Sequence, residues 1–197
     1  MDEAAYRQLV ARAEFGRAKA VLEIGGGTGR LAARLLSTVL PTDATYTVTE
    51  YSRGLHRRTA AALAAFGPRA APVLVTPAAP YPFAGPFDRV VSTYVLCMLP
   101  DHAVRRHLDE AHRMLADGGT LCVCVTSRGR SRWSRALMGT WDLAHRVWPA
   151  AVGGSRPIDL TAHLSPIRWD AVTADVVSTC GFASQVVTCR KVPAAGK

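Results

Sequence analysis

Val21-Leu22-Glu23-Ile24-Gly25-Gly26-Gly27-Thr28-Gly29 decides how this chain reads. A short apolar run carrying one carboxylate meets four glycines within five positions. The run has the length of a buried strand, and the loop after it is poor in Cβ atoms. A helix is expected to follow, from Thr28 to Val39. Glycine lets the backbone come close to a ligand, and a helix N-terminus beyond the loop offers free N–H groups. The stretch therefore reads as a nucleotide-type cradle.

Its spacing excludes two common cradles. A dinucleotide fingerprint needs a glycine at the sixth position from Gly25, where Arg30 stands. A phosphate loop needs a lysine before Ser or Thr, and none lies nearby.

Outward from this loop the chain alternates strand and helix. A helix is expected over Asp2 to Phe15 and strands over Ala20–Ile24 and Ala44–Thr49. A helix capped by Ser52 should run to Phe66, and Pro72–Thr76 should be a short strand. Pro77 to Pro86 reads as a proline-rich loop. Phe87–Ser92 is the fourth strand. Asp101 is expected to cap a helix over His102–Leu115, and Asp117-Gly118-Gly119 to turn into a strand over Thr120–Val125. This order predicts right-handed βαβ units and a parallel sheet. Ser131–Trp148 reads as one long helix, followed by a helical turn near Ile158–Leu164. Val172–Ser178 and Ala183–Arg190 form an antiparallel hairpin through Cys180-Gly181. The fold class is α/β: a Rossmann-like, doubly wound, mostly parallel seven-stranded sheet with a C-terminal antiparallel hairpin and helices on both faces. One domain is expected over 1–197. It divides into an N-terminal helix (1–19), a cofactor-binding core (20–125), a variable helical segment facing substrate (126–168) and the hairpin (169–192).

The 197 residues are 49% hydrophobic and 20% charged, ordinary for a globular chain of this size. The formal charge of +9 is carried almost wholly by arginine, with lysine only at Lys19, Lys191 and Lys197. It suits an acidic substrate, an anionic surface or nucleic acid, or is simply a solvated basic surface. The five cysteines form no C-x-x-C pair, and Cys122 and Cys124 read as buried thiols. The start lacks a signal peptide's basic and apolar regions, and no apolar run reaches membrane-spanning length. The expectation is a cytoplasmic protein. His102, His107 and His112 lie five apart, which scatters them around a helix as a poor metal set, mostly in solvent. No metal is expected.

Glu23, Gly25, Gly27 and Gly29 form acid-x-Gly-x-Gly-x-Gly. With Glu50 ending the second strand, Phe87 to Ser92 and Leu115 to Gly119, the chain resembles the class I S-adenosylmethionine-dependent methyltransferases over Ala20 to Val125. The resemblance implies S-adenosyl-L-methionine as cofactor and S-adenosyl-L-homocysteine as product. It implies that Glu50 accepts hydrogen bonds from both ribose hydroxyls. Gly25, Gly26, Gly27 and Gly29 would line the methionine part, with Glu23 organising the loop. Tyr51 would cover the adenine face, and Ser92 would line the site. Many relatives carry an acidic residue after the third strand for the adenine amine. Val75-Thr76-Pro77-Ala78 stands here, leaving Thr76 as the candidate acceptor.

Methyl transfer needs position and a dry site more than a strong base, unless the nucleophile is a hydroxyl. Tyr94, leaving the fourth strand, is the first candidate to touch substrate or sulfonium, with a packed aromatic as the alternative. His145 and His163 are candidate bases. The Trp133, Leu137, Trp141, Ala144, Trp148 stripe, begun by Arg128, Arg130, Arg132 and Arg135, reads either as a lid meeting an anionic or amphiphilic substrate or as a helix covering the sheet. A small-molecule acceptor is the main reading. A phospholipid or amphiphile acceptor, with peripheral membrane contact, is the nearest alternative. A nucleic-acid methyltransferase is disfavoured because Ser92-Thr93-Tyr94-Val95 replaces the Asn/Asp-Pro-Pro-aromatic motif. A non-catalytic partner protein of the same fold is the other alternative. Only about twenty residues precede the glycine loop, which predicts an open site or one completed in a homodimer.

Overall fold

The computed structural model describes residues 2–76, 79–83 and 85–193. Residues 77, 78 and 84 of the expected proline-rich loop lie outside these. The helices are α1 (Glu3–Ala13), α2 (Arg30–Thr38), α3 (Arg53–Leu63), α4 (Asp101–Met114) and α5 (Arg132–Val147). The strands are β1 (Ala20–Ile24), β2 (Thr45–Glu50), β3 (Ala70–Leu74), β4 (Phe87–Thr93), β5 (Leu115–Thr126), β6 (Trp169–Thr179) and β7 (Phe182–Lys191). They form one seven-stranded sheet in the order β3-β2-β1-β4-β5-β7-β6. The pairs from β3 through β5 are parallel, while β7 runs antiparallel to both β5 and β6. This is the Rossmann-like sheet with a C-terminal hairpin.

Both faces of the sheet are buried, which is why β1 is apolar without alternation. On one face, Val21, Tyr46, Val48, Cys122, Cys124 and Val186 pack against Leu9 of α1 and Leu35 and Leu36 of α2. On the other, Leu22, Ile24, Val90, Leu121, Val123 and Val187 meet Val104, Leu108 and Ala111 of α4. The chain builds outward from β1 to β3, then crosses back to β4. Strand order reverses between β1 and β4, and beyond the carboxyl ends of strands at such a point a crevice forms. The glycine loop sits there.

Several elements differ from the sequence reading. Pro100 rather than Asp101 occupies the cap position of α4. The Asp101 carboxylate instead pairs with the Arg156 guanidinium at 2.6 Å. β3 begins at Ala70, two residues early, because its register is set by β2, where Tyr46 pairs with Ala70. α2 begins only at Arg30, since Gly29 takes a left-handed φ of 76°. The Asp117-Gly118-Gly119 turn lies inside β5, where a register shift follows the Phe87–Leu115 pair. His107 is buried rather than solvated: it sits on the inner face of α4 beside Leu108 and Ala111. Burial depresses its pKa from 6.5 to about 4. Among the described residues, no helix is long and apolar enough to cross a membrane.

Candidate cofactor site

The loop between β1 and α2 is held by its neighbours on three sides. The N–H groups of Gly25 and Gly26 both donate to Thr49 O at 3.0 Å. The Gly27 N–H donates to Glu50 Oε2 at 2.9 Å. The Thr59 hydroxyl of α3 lies 2.7 Å from Gly27 O and 3.1 Å from Leu55 O, its proton shared between the two carbonyls.

The glycines are there for different reasons. A Cβ on Gly26 would stand 2.1 Å from Val48 Cγ1, and one on Gly25 2.5 Å from Val95 Cγ2. On Gly29 it would meet Thr59 at 3.2 Å. At those three positions the protein itself needs the room. At Gly27, with φ of 60°, a Cβ would meet nothing within 4 Å. Gly27 thus faces open space while its N–H is tied to Glu50.

Glu50 ends β2 and is 3% exposed. Its Oε1 accepts from the N–H groups of Tyr51 (3.0 Å) and Ser52 (2.9 Å). Three backbone donors fix the carboxylate, and its remaining lone pairs are available to a diol. Glu23 is 1% exposed and lies beneath the loop, accepting the Tyr46 hydroxyl at 3.1 Å. Burial lifts its pKa from 4.5 to about 7, offset in part by the Tyr46 hydrogen bond and reinforced by the charge of Glu50. Burial with a single hydrogen bond thus favours the protonated form of this acid far more than in an exposed carboxyl.

A family model described as a methyltransferase domain matches residues 21–119, from β1 through the start of β5. The chain belongs to the methyltransferase-domain family. S-adenosyl-L-methionine is accordingly its methyl donor, with S-adenosyl-L-homocysteine as product. The loop fits that cofactor: open space at Gly27 adjoins a fixed carboxylate.

The methyltransferase fold is also seen in solved structures of low identity. An N-methyltransferase, NodS, from Bradyrhizobium japonicum WM9 in complex with S-adenosyl-L-homocysteine is 19% identical, with TM-score 0.67 over 95% of this chain and 86% of that one. An O-methyltransferase family protein from Burkholderia thailandensis is 16% identical, with TM-score 0.69 over 96% of this chain. This chain spans 56% of that protein's length. The [4+2]-cyclase SpnF is 16% identical, with TM-score 0.71 over 96% of this chain and 81% of that one. The comparison with curated proteins finds no match.

The remaining candidate residues of this methyltransferase domain are spread over several environments. Tyr51 is largely exposed at the end of β2, and Thr76 is exposed after β3. Ser92 is fully buried, its hydroxyl donating to Ile24 O at 3.4 Å and tying β4 to β1. Tyr94 takes a left-handed φ of 58°. Its N–H donates to Cys124 O at 2.7 Å, and its hydroxyl lies 2.8 Å from Ser184 Oγ on β7. Burial, with the Cys124 thiol alongside, raises its phenol further above the usual range. The side chain therefore packs as well as lining the end of β4. His145 is half-buried on α5. No hydrogen bond among the described residues joins it to the loop or to Tyr94. Nor is any group of three or more His, Cys, Asp or Glu among those residues placed to hold a metal ion.

Sequence reasoning missed Thr59, Val95 and Tyr46. Thr59 had a readable signal: it lies between Leu55 and Leu63 at helical spacing, a lone hydroxyl on an apolar face. Val95 had none, because its contact with Gly25 depends on how the chain leaves β4.

Proposed function

We propose that this domain transfers the methyl group of S-adenosyl-L-methionine to a small-molecule acceptor. The observation that carries the reading is the fixed Glu50 carboxylate, 2.9 Å from Gly27 N–H, beside the open space at Gly27. When bound, the cofactor supplies a methyl group on a sulfonium, which a nucleophile takes by in-line attack while the neutral thioether leaves. The protein's part is binding and exclusion of water. Glu50 holds the ribose diol, and the Gly25–Gly29 backbone lies against the methionine part. Tyr51 covers the adenine, Thr76 accepts from its amine, and Glu23 with Ser92 supports the loop from below. The N- and O-methyltransferase descriptions of its structural neighbours support a nitrogen or oxygen nucleophile as acceptor. A cyclase on the same fold shows that the fold alone does not fix the reaction. In this reading 1–197 is one cytoplasmic domain whose 126–168 segment faces the acceptor.

A second reading, an amphiphilic acceptor at an anionic membrane surface, is favoured by one feature. α5 buries only Ser134 and Met138, while Trp133 and Val147 are 71% and 79% exposed. Flotation with anionic vesicles at low salt tests it, and absence of binding removes it. The primary reading is tested by calorimetry with S-adenosyl-L-methionine and S-adenosyl-L-homocysteine. Both should bind, and Glu50→Ala should weaken them by about two orders of magnitude, the loss of two hydrogen bonds to a charged acceptor. No binding to the wild type defeats the proposal.

A further inference from the structure

A cleft of about 510 Å³ opens beyond the carboxyl end of β5, between the 127–129 loop, the amino end of α4 and the 156–163 segment. Two strand spacings separate the end of β5 from the end of β1, about 10 Å. The 95–99 segment connects the two places. Val95 lies against Gly25, and the Arg156 N–H donates to Cys97 O at 2.9 Å.

The charges lining the cleft are not equally answered. Asp101 pairs with Arg156 at 2.6 Å, and that guanidinium also reaches Leu99 O at 2.9 Å. Asp159 Oδ1 accepts from the Thr161 N–H (3.1 Å), the Thr161 hydroxyl (2.7 Å) and the Gln185 amide (2.9 Å). These hydrogen bonds hold both carboxyls below the usual carboxylate range, and the nearby His163 adds to the effect on each. Both acids are therefore satisfied. Two donors are not. Arg128 has neither ion pair nor hydrogen bond among the described residues. Ser127 is 5% exposed, lines the cleft, and its hydroxyl has no hydrogen-bond partner. A buried hydroxyl without a partner is costly, and a guanidinium left free at its mouth is a ready fork for an anion. The Ser127 hydroxyl and the Arg128 guanidinium are thus donors in the cleft lining that its own carboxylates do not answer.

We propose that this cleft holds an anionic group of the methyl acceptor, a carboxylate or a phosphate, with Arg128 as counter-charge and the Ser127 hydroxyl donating to it. The inference rests on the methyl-transfer reading for the word acceptor, and its test is independent of that reading. Wild type, Ser127→Ala, Arg128→Ala, Arg128→Lys and the remote control Arg17→Ala are titrated with benzoate and with inorganic phosphate at low ionic strength. Amide NMR shifts at residues 127–129 report binding, and so does the fluorescence of Trp141, whose indole donates to Ser155 O beside Arg156. S-adenosyl-L-homocysteine affinity is measured on the same samples.

Saturable binding of at least one anion is expected, weakened about tenfold in Arg128→Ala by loss of a charge-assisted hydrogen bond. Ser127→Ala should weaken it as well, Arg128→Lys should restore part of it, and Arg17→Ala should change nothing. The tighter-binding anion identifies the group. No saturable binding, or equal affinity in Arg128→Ala and Arg17→Ala, overturns the assignment. With S-adenosyl-L-homocysteine still bound, that result leaves the cofactor reading standing. Anion binding without S-adenosyl-L-homocysteine binding does the reverse.

Discussion

Glu23→Gln should make the protein more stable at alkaline pH and leave it little changed in acid. The Glu23 carboxyl sits beneath the glycine loop with a pKa raised from 4.5 to about 7, chiefly by burial. An acid raised in this way costs nothing below its unfolded value, where both states carry the proton. Stability is then lost as pH climbs from 4.5 through 7, because the folded state holds a proton that the unfolded state releases. Two and a half pKa units at about 1.4 kcal/mol each give about 3 kcal/mol when complete. Glutamine keeps an acceptor for the Tyr46 hydroxyl and carries no charge, so the variant escapes this loss. Relative to wild type it should gain about 1 kcal/mol at pH 5 and about 3 kcal/mol at pH 8. The wild-type curve alone would conceal the effect. His107, depressed from 6.5 to about 4, contributes stability that is present above 6.5 and lost as pH falls. Between pH 4.5 and 6.5 the two slopes oppose each other. The assay is therefore the difference between variant and wild type in urea unfolding at half-unit steps from pH 5 to pH 8. A difference that stays flat across that range refutes the buried, proton-holding Glu23.

The two central glycines should fail in different ways. Gly26→Ala places a Cβ 2.1 Å from Val48 Cγ1 and should lose about 1–3 kcal/mol of stability through overpacking. Gly27→Ala meets nothing within 4 Å and should lose only about 1 kcal/mol for its left-handed backbone. It should nevertheless bind S-adenosyl-L-homocysteine far more weakly than its stability loss explains, as calorimetry beside thermal unfolding would show. Tyr94→Phe removes the hydroxyl 2.8 Å from Ser184 Oγ and should cost about 1 kcal/mol in urea unfolding. Its S-adenosyl-L-homocysteine affinity should stay unchanged; a large drop would place the phenol in the cofactor site.

What was legible in the sequence and what was not divide along a physical line. β1, the glycine loop and the places of Glu23 and Glu50 in the fold were readable because they are set locally. An apolar run makes a buried strand, a Cβ-poor loop makes a close approach, and an acid at a strand end projects toward the crevice. The parallel core followed from the βαβ alternation and the antiparallel edge from the closing hairpin, while the strand order itself came only with the structure. Contacts that join distant segments were not readable. Asp101 looked like a helix cap because capping is judged within four residues, whereas its partner Arg156 lies 55 positions away. His107 looked solvated because five-residue spacing says nothing about which side of α4 meets the sheet. Gly26 and Gly27 are adjacent and identical in sequence, yet one yields to Val48 and the other faces open space. Only the packing of β2 against the loop separates them. The same holds for the acceptor side. The arginines after β5 read as a single basic cluster, but ion pairing sorts the cleft's own charges. Arg156 is consumed by Asp101, while Arg128 has no anionic partner among the described residues. A charge count over the segment cannot make that distinction, and it is the distinction on which the proposed anion site rests.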